Sequence, residues 1–120
     1  MTQEKEIYGK IDNFVVSVLK FTRDLPLDII NREIIKQIVR SASSVGANAR
    51  EGQTSQTKKE FIRCFSISKR ESKETGDWLN LIAKLNDKFS DKITFLIKES
   101  NELTAIISKI IISSKNNVVK

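Results

Sequence analysis

Glu71, Glu74 and Asp77 recur at intervals of three in the stretch ESKETGD. On a helix that spacing sets carboxylates side by side, Glu71 with Glu74 or Glu74 with Asp77. A hydrolase could use such a pair for proton transfer. The groups that usually complete the chemistry are missing. The sequence has no histidine, so the commonest general base and transition-metal ligand is absent. For the same reason the Glu-x-x-His pair of a di-iron bundle cannot form. Cys64 is the only cysteine and cannot build a zinc site or an intrachain disulfide. Lying between Phe61 and Phe65, it reads as a packing group rather than a nucleophile. No serine has an activating partner, and GANAREG fits neither the dinucleotide-binding nor the P-loop spacing. The expectation is a chain with no catalytic residues, no metal and no cofactor, the hydrolase reading coming last.

The second kind of chemistry is cationic. Lys58, Lys59, Arg63, Lys69, Arg70 and Lys73 form the densest basic stretch. Lys59, Arg63, Arg70 and Lys73 fall close to one helical face. Glu60, Glu71 and Glu74 are interspersed and can pair with them along the helix. No aromatic platform accompanies the cations, since Tyr8 is isolated and Trp78 sits beside the core position Leu79. This pattern suits salt-dependent contact with phosphates and gives no support to base reading. The chain carries a formal charge of +6, from 21 Lys and Arg against 15 Asp and Glu. That excess is compatible with a merely solvated surface or with a polyanionic partner, RNA or DNA.

The elements that must position these residues are helical. With 120 residues, 39% of them hydrophobic and only one proline, the chain reads as one domain, 1–120, of long helices and short loops. The apolar runs are far shorter than the roughly 20 residues of a membrane span. The N-terminus lacks a basic region followed by an apolar segment. A lone cysteine suits a reducing, cytoplasmic setting. Four segments show helical periodicity. The first carries Ile7, Ile11, Phe14, Val15, Val18 and Leu19 and ends before Leu25–Pro26, because a residue preceding proline leaves the helical region. The second carries Ile34, Ile35, Ile38, Val39, Ala42, Val45 and Ala49, with Asp28 or Asn31 as its cap and Gly52 as its C-terminal glycine. Thr57 and Glu60 form a capping box for the third. Its inward stripe, Phe61, Cys64, Phe65, Ser68, Ser72, Thr75, Leu79, Ile82 and Ala83, is polar in the middle. The fourth starts near Ser90 and carries Ile93, Leu96, Ile97, Leu103, Ile106, Ile107, Ile110 and Ile111, leaving 115–120 as a frayed tail. Four rods with short connections predict an all-α, antiparallel up-down-up-down four-helix bundle, with a three-helix bundle as the alternative.

The second segment ends in weak helix formers, SSVGANAREG. Ser41, Val45, Asn48 and Gly52 share one stripe, and Ala42, Gly46 and Ala49 the next. Two adjacent faces are therefore thin. Glycine costs about 1 kcal/mol against alanine inside a helix, so Gly46 is expected to touch a neighbouring helix that leaves no room for a side chain. Asn48 and Arg50 are expected either to join Glu71 or Glu74 in a buried network or, for Arg50 and Glu51, to face water.

The run VRSASSVGANAREGQTSQTKKEFIRCFSISKRESKETGDWLNLI resembles the proteins encoded in 23S rRNA intervening sequences. The residues that carry the likeness are Ser43, Val45-Gly46-Ala47-Asn48, Glu51, Phe61-Ile62, Glu71, Glu74-Thr75 and Trp78-Leu79. The accessory variability protein of diversity-generating retroelements is similar to the same fold. The resemblance implies a four-helix bundle that assembles as a homopentamer. It also implies association with nucleic acid through a basic surface, directly or beside a partner protein such as a reverse transcriptase. In a ring, one thin face would pack within the protomer and the other against its neighbour. The leading expectation is a non-enzymatic, oligomeric nucleic-acid-binding protein, and the alternative an oligomeric protein-interaction scaffold.

Overall fold

The structure is a computed structural model that describes residues 2–116, with side chains from residue 6 onward. Its elements are α1 (Thr2–Thr22), α2 (Ile29–Gln53), α3 (Lys58–Leu85), a 3-10 turn (Asp87–Phe89) and α4 (Ser90–Asn116). Each helix packs on its neighbours in chain order and α1 closes against α4, while across the α1–α3 diagonal Tyr8 meets the Phe65 ring edge-on at 6.0 Å. This is the up-down-up-down bundle, 53 × 21 × 18 Å. The three-helix alternative is overturned, because α4 lies along both α3 and α1. Lys115 and Asn116, assigned to a frayed tail from sequence, are the last residues of α4. The remainder of that tail, 117–120, lies outside the described residues.

Local signals account for the helix ends. Thr22 Oγ1 donates to the Leu19 carbonyl, and the chain turns through Leu25 before Pro26. Asp28 is the cap of α2, accepting from the Asn31 amide at 2.8 Å. Asn31, the other candidate cap, has a different task. Its amide donates to the Pro26 carbonyl and to Asn86 Oδ1, both at 2.9 Å, and accepts from Asn86 Nδ2 at 3.0 Å. The pair clasps the start of α2 to the end of α3. Thr57 caps α3 by accepting from the Glu60 amide.

Ile7, Ile11, Phe14 and Val18 of α1, Ile34, Ile38 and Val45 of α2, and Ile93, Leu96, Leu103 and Ile107 of α4 form the apolar core. In α3 the apolar stripe is interrupted where Ser68, Ser72 and Thr75 are buried. Hydroxyls can be buried there because each finds a partner, sparing the cost of an unsatisfied polar group. Ser68 donates to the Val45 carbonyl at 2.9 Å, Ser41 and Thr75 share a hydrogen bond of 2.7 Å, and Ser72 meets Thr104 at 2.9 Å. Small hydroxyl side chains thus join α3 to α2 on one side and to α4 on the other.

Both thin faces of α2 are covered within the chain. Ala42, Gly46 and Ala49 are buried, and Gly46 faces Val15 of α1. No neighbouring copy is needed to cover the second face, contrary to the ring arrangement suggested above. The expectation for Gly46 also needs correction. A Cβ there would meet Val15 Cγ2 at 3.6 Å, an ordinary contact with room for a methyl. Gly52 is the position without that room, since a Cβ would lie 3.0 Å from the Phe65 ring and 3.1 Å from Cys64 Cβ. Nor is Gly52 a left-handed C-cap. No described glycine has a positive φ, and α2 continues to Gln53, with Thr54 as its cap. Asn48 is half-buried but outside the seam, its amide donating back to the Ser44 carbonyl at 2.9 Å and Oγ at 3.0 Å.

Candidate nucleic-acid interface

The rigid element beneath the basic residues is α3, packed on both sides by α2 and α4. Glu71 and Glu74, interleaved with the cations in sequence, turn toward α2. Arg40 Nη1 donates to Glu71 Oε1 at 3.3 Å, Arg40 Nη2 donates to Glu74 Oε2, and Trp78 Nε1 donates to Glu74 Oε2 at 3.0 Å. Glu71 is buried and Arg40 is half-exposed. The carboxylates singled out for hydrolytic chemistry are therefore held in an ion-pair network. Among the described residues, no group of three or more His, Cys, Asp or Glu side chains could hold a metal ion.

The network expected from sequence exists with a different arginine. Arg50 donates to Asp12 Oδ1 of α1 at 2.7 Å, an exposed pair. The reason is register. Arg40 lies 14 residues before Thr54 and Glu71 lies 14 after Thr57, so an antiparallel hairpin folded at 54–57 brings them level. Counting outward from the loop would have identified Arg40. The same count sets Arg50 opposite Phe61, about 15 Å from Glu71 along the helix.

The six candidate basic residues of α3 are all exposed and fall into two groups, apart from Lys84 in its last turn. Lys58, Lys59 and Arg63 occupy its first two turns. There the Glu60 carboxylate takes two bonds from Arg63, Nη2 at 2.6 Å and Nε at 3.2 Å. Those hydrogen bonds hold the Glu60 carboxyl below its usual range, with the guanidinium charge adding to the effect. Arg63 is thus partly neutralised. The buried Cys64 thiol nearby is pushed up by desolvation, which keeps it protonated and unreactive.

The second group is Lys69, Arg70 and Lys73, about 16 Å from Lys59 along the axis. Lys73 lies 3.5 Å from Asp77. Lys59, Lys69 and Arg70 have no ion pair or hydrogen bond among the described residues. With Ser66, the second group lines one wall of an open groove whose other wall is Thr104, Ile111 and Lys115 of α4. Sequence reasoning missed Lys115 by assigning it to the tail. The continuing stripe Ile107–Ile111, which keeps α4 helical to that point, was the available signal.

The exposed cations of α3, with Glu71 and Glu74 turned toward Arg40 and only Glu60 and Asp77 paired among them, form a face that can attract phosphates without reading bases. No described helix is long and apolar enough to cross a membrane. Among curated proteins none matches this chain. Its fold is shared with the crystal structure of a protein of unknown function from the S23 ribosomal protein family, from Bacteroides thetaiotaomicron. That protein is 26% identical, with a TM-score of 0.79, over 91% of this chain and 97% of that one. The family model described as 23S rRNA-intervening sequence protein matches residues 3–109, and on that match the chain belongs to the 23S rRNA-intervening sequence protein family.

Proposed function

We propose that the chain is a non-enzymatic, oligomeric protein of the cytoplasm that binds RNA, or another nucleic acid, through the basic surface of α3. The observation that carries this reading is the sorting of charge on that helix. Among the described residues Lys59, Lys69 and Arg70 stand exposed without carboxylate partners, while Glu71 and Glu74 are engaged by Arg40 of α2. Unpaired cations release counterions from a polynucleotide, which gives sequence-tolerant, salt-sensitive affinity. Assembly strengthens the effect, for five copies of a +6 chain carry about +30. Apolar side chains left outside on α1 and α2, Val16 and Val39 beside Leu19, offer a contact surface for a second copy, and a homopentamer is the assembly we infer. Binding of a labelled RNA by the full chain, measured as salt is raised, tests the reading. Affinity should fall linearly on a log–log plot, and absence of binding at low salt overturns it.

A second reading is a protein-interaction scaffold. Leu27, Ile29 and Ile30 at the start of α2 and Leu85 at the end of α3 stand exposed at the end of the bundle joined by the Asn31–Asn86 clasp. A protein partner would cover that end. A chain that assembles normally yet binds no polyanion would favour this reading.

A further inference from the structure

The groove between α3 and α4 has features that a general basic surface lacks. Its walls come from two helices, with Ser66, Lys69, Arg70 and Lys73 on one side and Thr104, Ile111 and Lys115 on the other. Helical side chains lean toward the N-terminus of their own helix. Because α3 and α4 are antiparallel, Lys115 reaches the groove from the opposite direction to the α3 cations, while Lys73 is held 3.5 Å from Asp77. Lys69, Arg70 and Lys115 have no ion pair or hydrogen bond among the described residues, and the Ser66 hydroxyl is exposed. Ile111, buried in the core, forms the apolar floor between the charges.

We propose that this groove grips the sugar-phosphate backbone of a single-stranded polynucleotide, with Lys69, Arg70 and Lys115 on its phosphates and Ile111 beneath a ribose or base. The proposal rests on the nucleic-acid reading given above and names the form of polymer and the residues. A duplex presents rigid rows of phosphates and is best met by cations spread along a face. Here the spread is broken, because Arg63 is engaged by Glu60 and Lys59 lies about 16 Å from Arg70. Lys69, Arg70 and Lys115 instead face one short groove between two helices, which a flexible strand can enter by bending. With no aromatic side chain lining the groove, base stacking adds little and sequence preference is weak.

The experiment uses the full chain and fluorescence anisotropy with a labelled 20-mer oligouridylate, an RNA duplex of equal length and labelled polyglutamate. A groove variant, Lys69→Ala with Arg70→Ala and Lys115→Ala, is set against a control of equal charge, Lys20→Ala with Lys84→Ala and Lys98→Ala. All six positions are exposed and helical, where alanine preserves the helix, and circular dichroism checks this. The expected result is tighter binding of the single strand than of the duplex. The groove variant should lose at least about tenfold in affinity for it, with the salt slope smaller by about 2, as removal of three phosphate contacts implies. The control should change affinity by less than about threefold. Equal losses in the two variants overturn the groove while leaving the nucleic-acid reading intact. Preference for the duplex overturns the choice of strand, and tightest binding of polyglutamate assigns the groove to an acidic protein. If the wild-type chain binds neither RNA, the function proposed above fails and the groove with it.

Discussion

Replacing Arg40 with alanine tests the register of the bundle and the account of its acidic residues together. Arg40 is 49% exposed and spans two carboxylates of α3, and the Glu71 side chain is only 12% exposed. Truncation leaves Glu71 covered and without its cation. A hydrogen bond to a charged group contributes about 1.5–3 kcal/mol when buried. Water reaching the half-exposed arginine site reduces that, and we expect a loss of about 1–2 kcal/mol after the discount for solvent screening. Arg50→Ala is the natural control, since its pair with Asp12 is 66% and 49% exposed and should contribute less than about 0.5 kcal/mol. Urea unfolding followed at 222 nm gives both values, provided the slope is unchanged and protein concentration is held fixed, because assembly shifts apparent stability. A double-mutant cycle with Glu71→Gln should return a coupling above about 0.5 kcal/mol. Equal small losses for Arg40→Ala and Arg50→Ala, with no coupling to Glu71, would refute the reasoning.

Further outcomes follow from the same packing. Gly46→Ala should be neutral or stabilising by up to about 1 kcal/mol, because the new methyl meets only Val15 at 3.6 Å. Gly52→Ala should instead cost about 1–3 kcal/mol, its Cβ being 3.0 Å from Phe65; thermal melts of the two variants compare them directly. Asn86→Ala removes the donor to Asn31 Oδ1 and should lower the urea midpoint by the equivalent of about 1–3 kcal/mol, a loss that Asn101→Ala on the exposed surface should not reproduce. Glu60→Gln releases Arg63 and should raise RNA affinity at low salt, read by anisotropy. Acid should act in the same direction. The Glu60 carboxyl is depressed in the folded chain by its bonds from Arg63. The pair is therefore intact above the ordinary carboxylate range and lost as pH falls through the lowered value, so RNA affinity should rise only on strong acidification.

What could be read from the sequence was whatever depends on local chemistry. Asp28, Thr57 and Pro26 mark helix ends because caps and proline act within a few residues. The thin faces of α2 were visible because small residues at helical spacing have few other uses. What required three dimensions was missed. Arg40 and Arg50 look equivalent until the hairpin is folded at its loop. Gly46 reads as the interhelix glycine and Gly52 as a helix terminus, yet Gly52 is the one whose Cβ would meet an aromatic ring at 3.0 Å. Asn31 resembles a cap because its buried partner, Asn86, is remote in sequence. Lys115 joins the basic residues of α3 only because α4 returns antiparallel beside it.

The central claim, that nucleic acid lies on α3, is tested most directly by photochemical cross-linking of the full chain to RNA containing 4-thiouridine, followed by mass spectrometry of the adducted peptides. The account predicts adducts on peptides spanning 58–73 and on the peptide containing Lys115. Adducts confined to α1 and α2, or none above background under low-salt conditions, would contradict it.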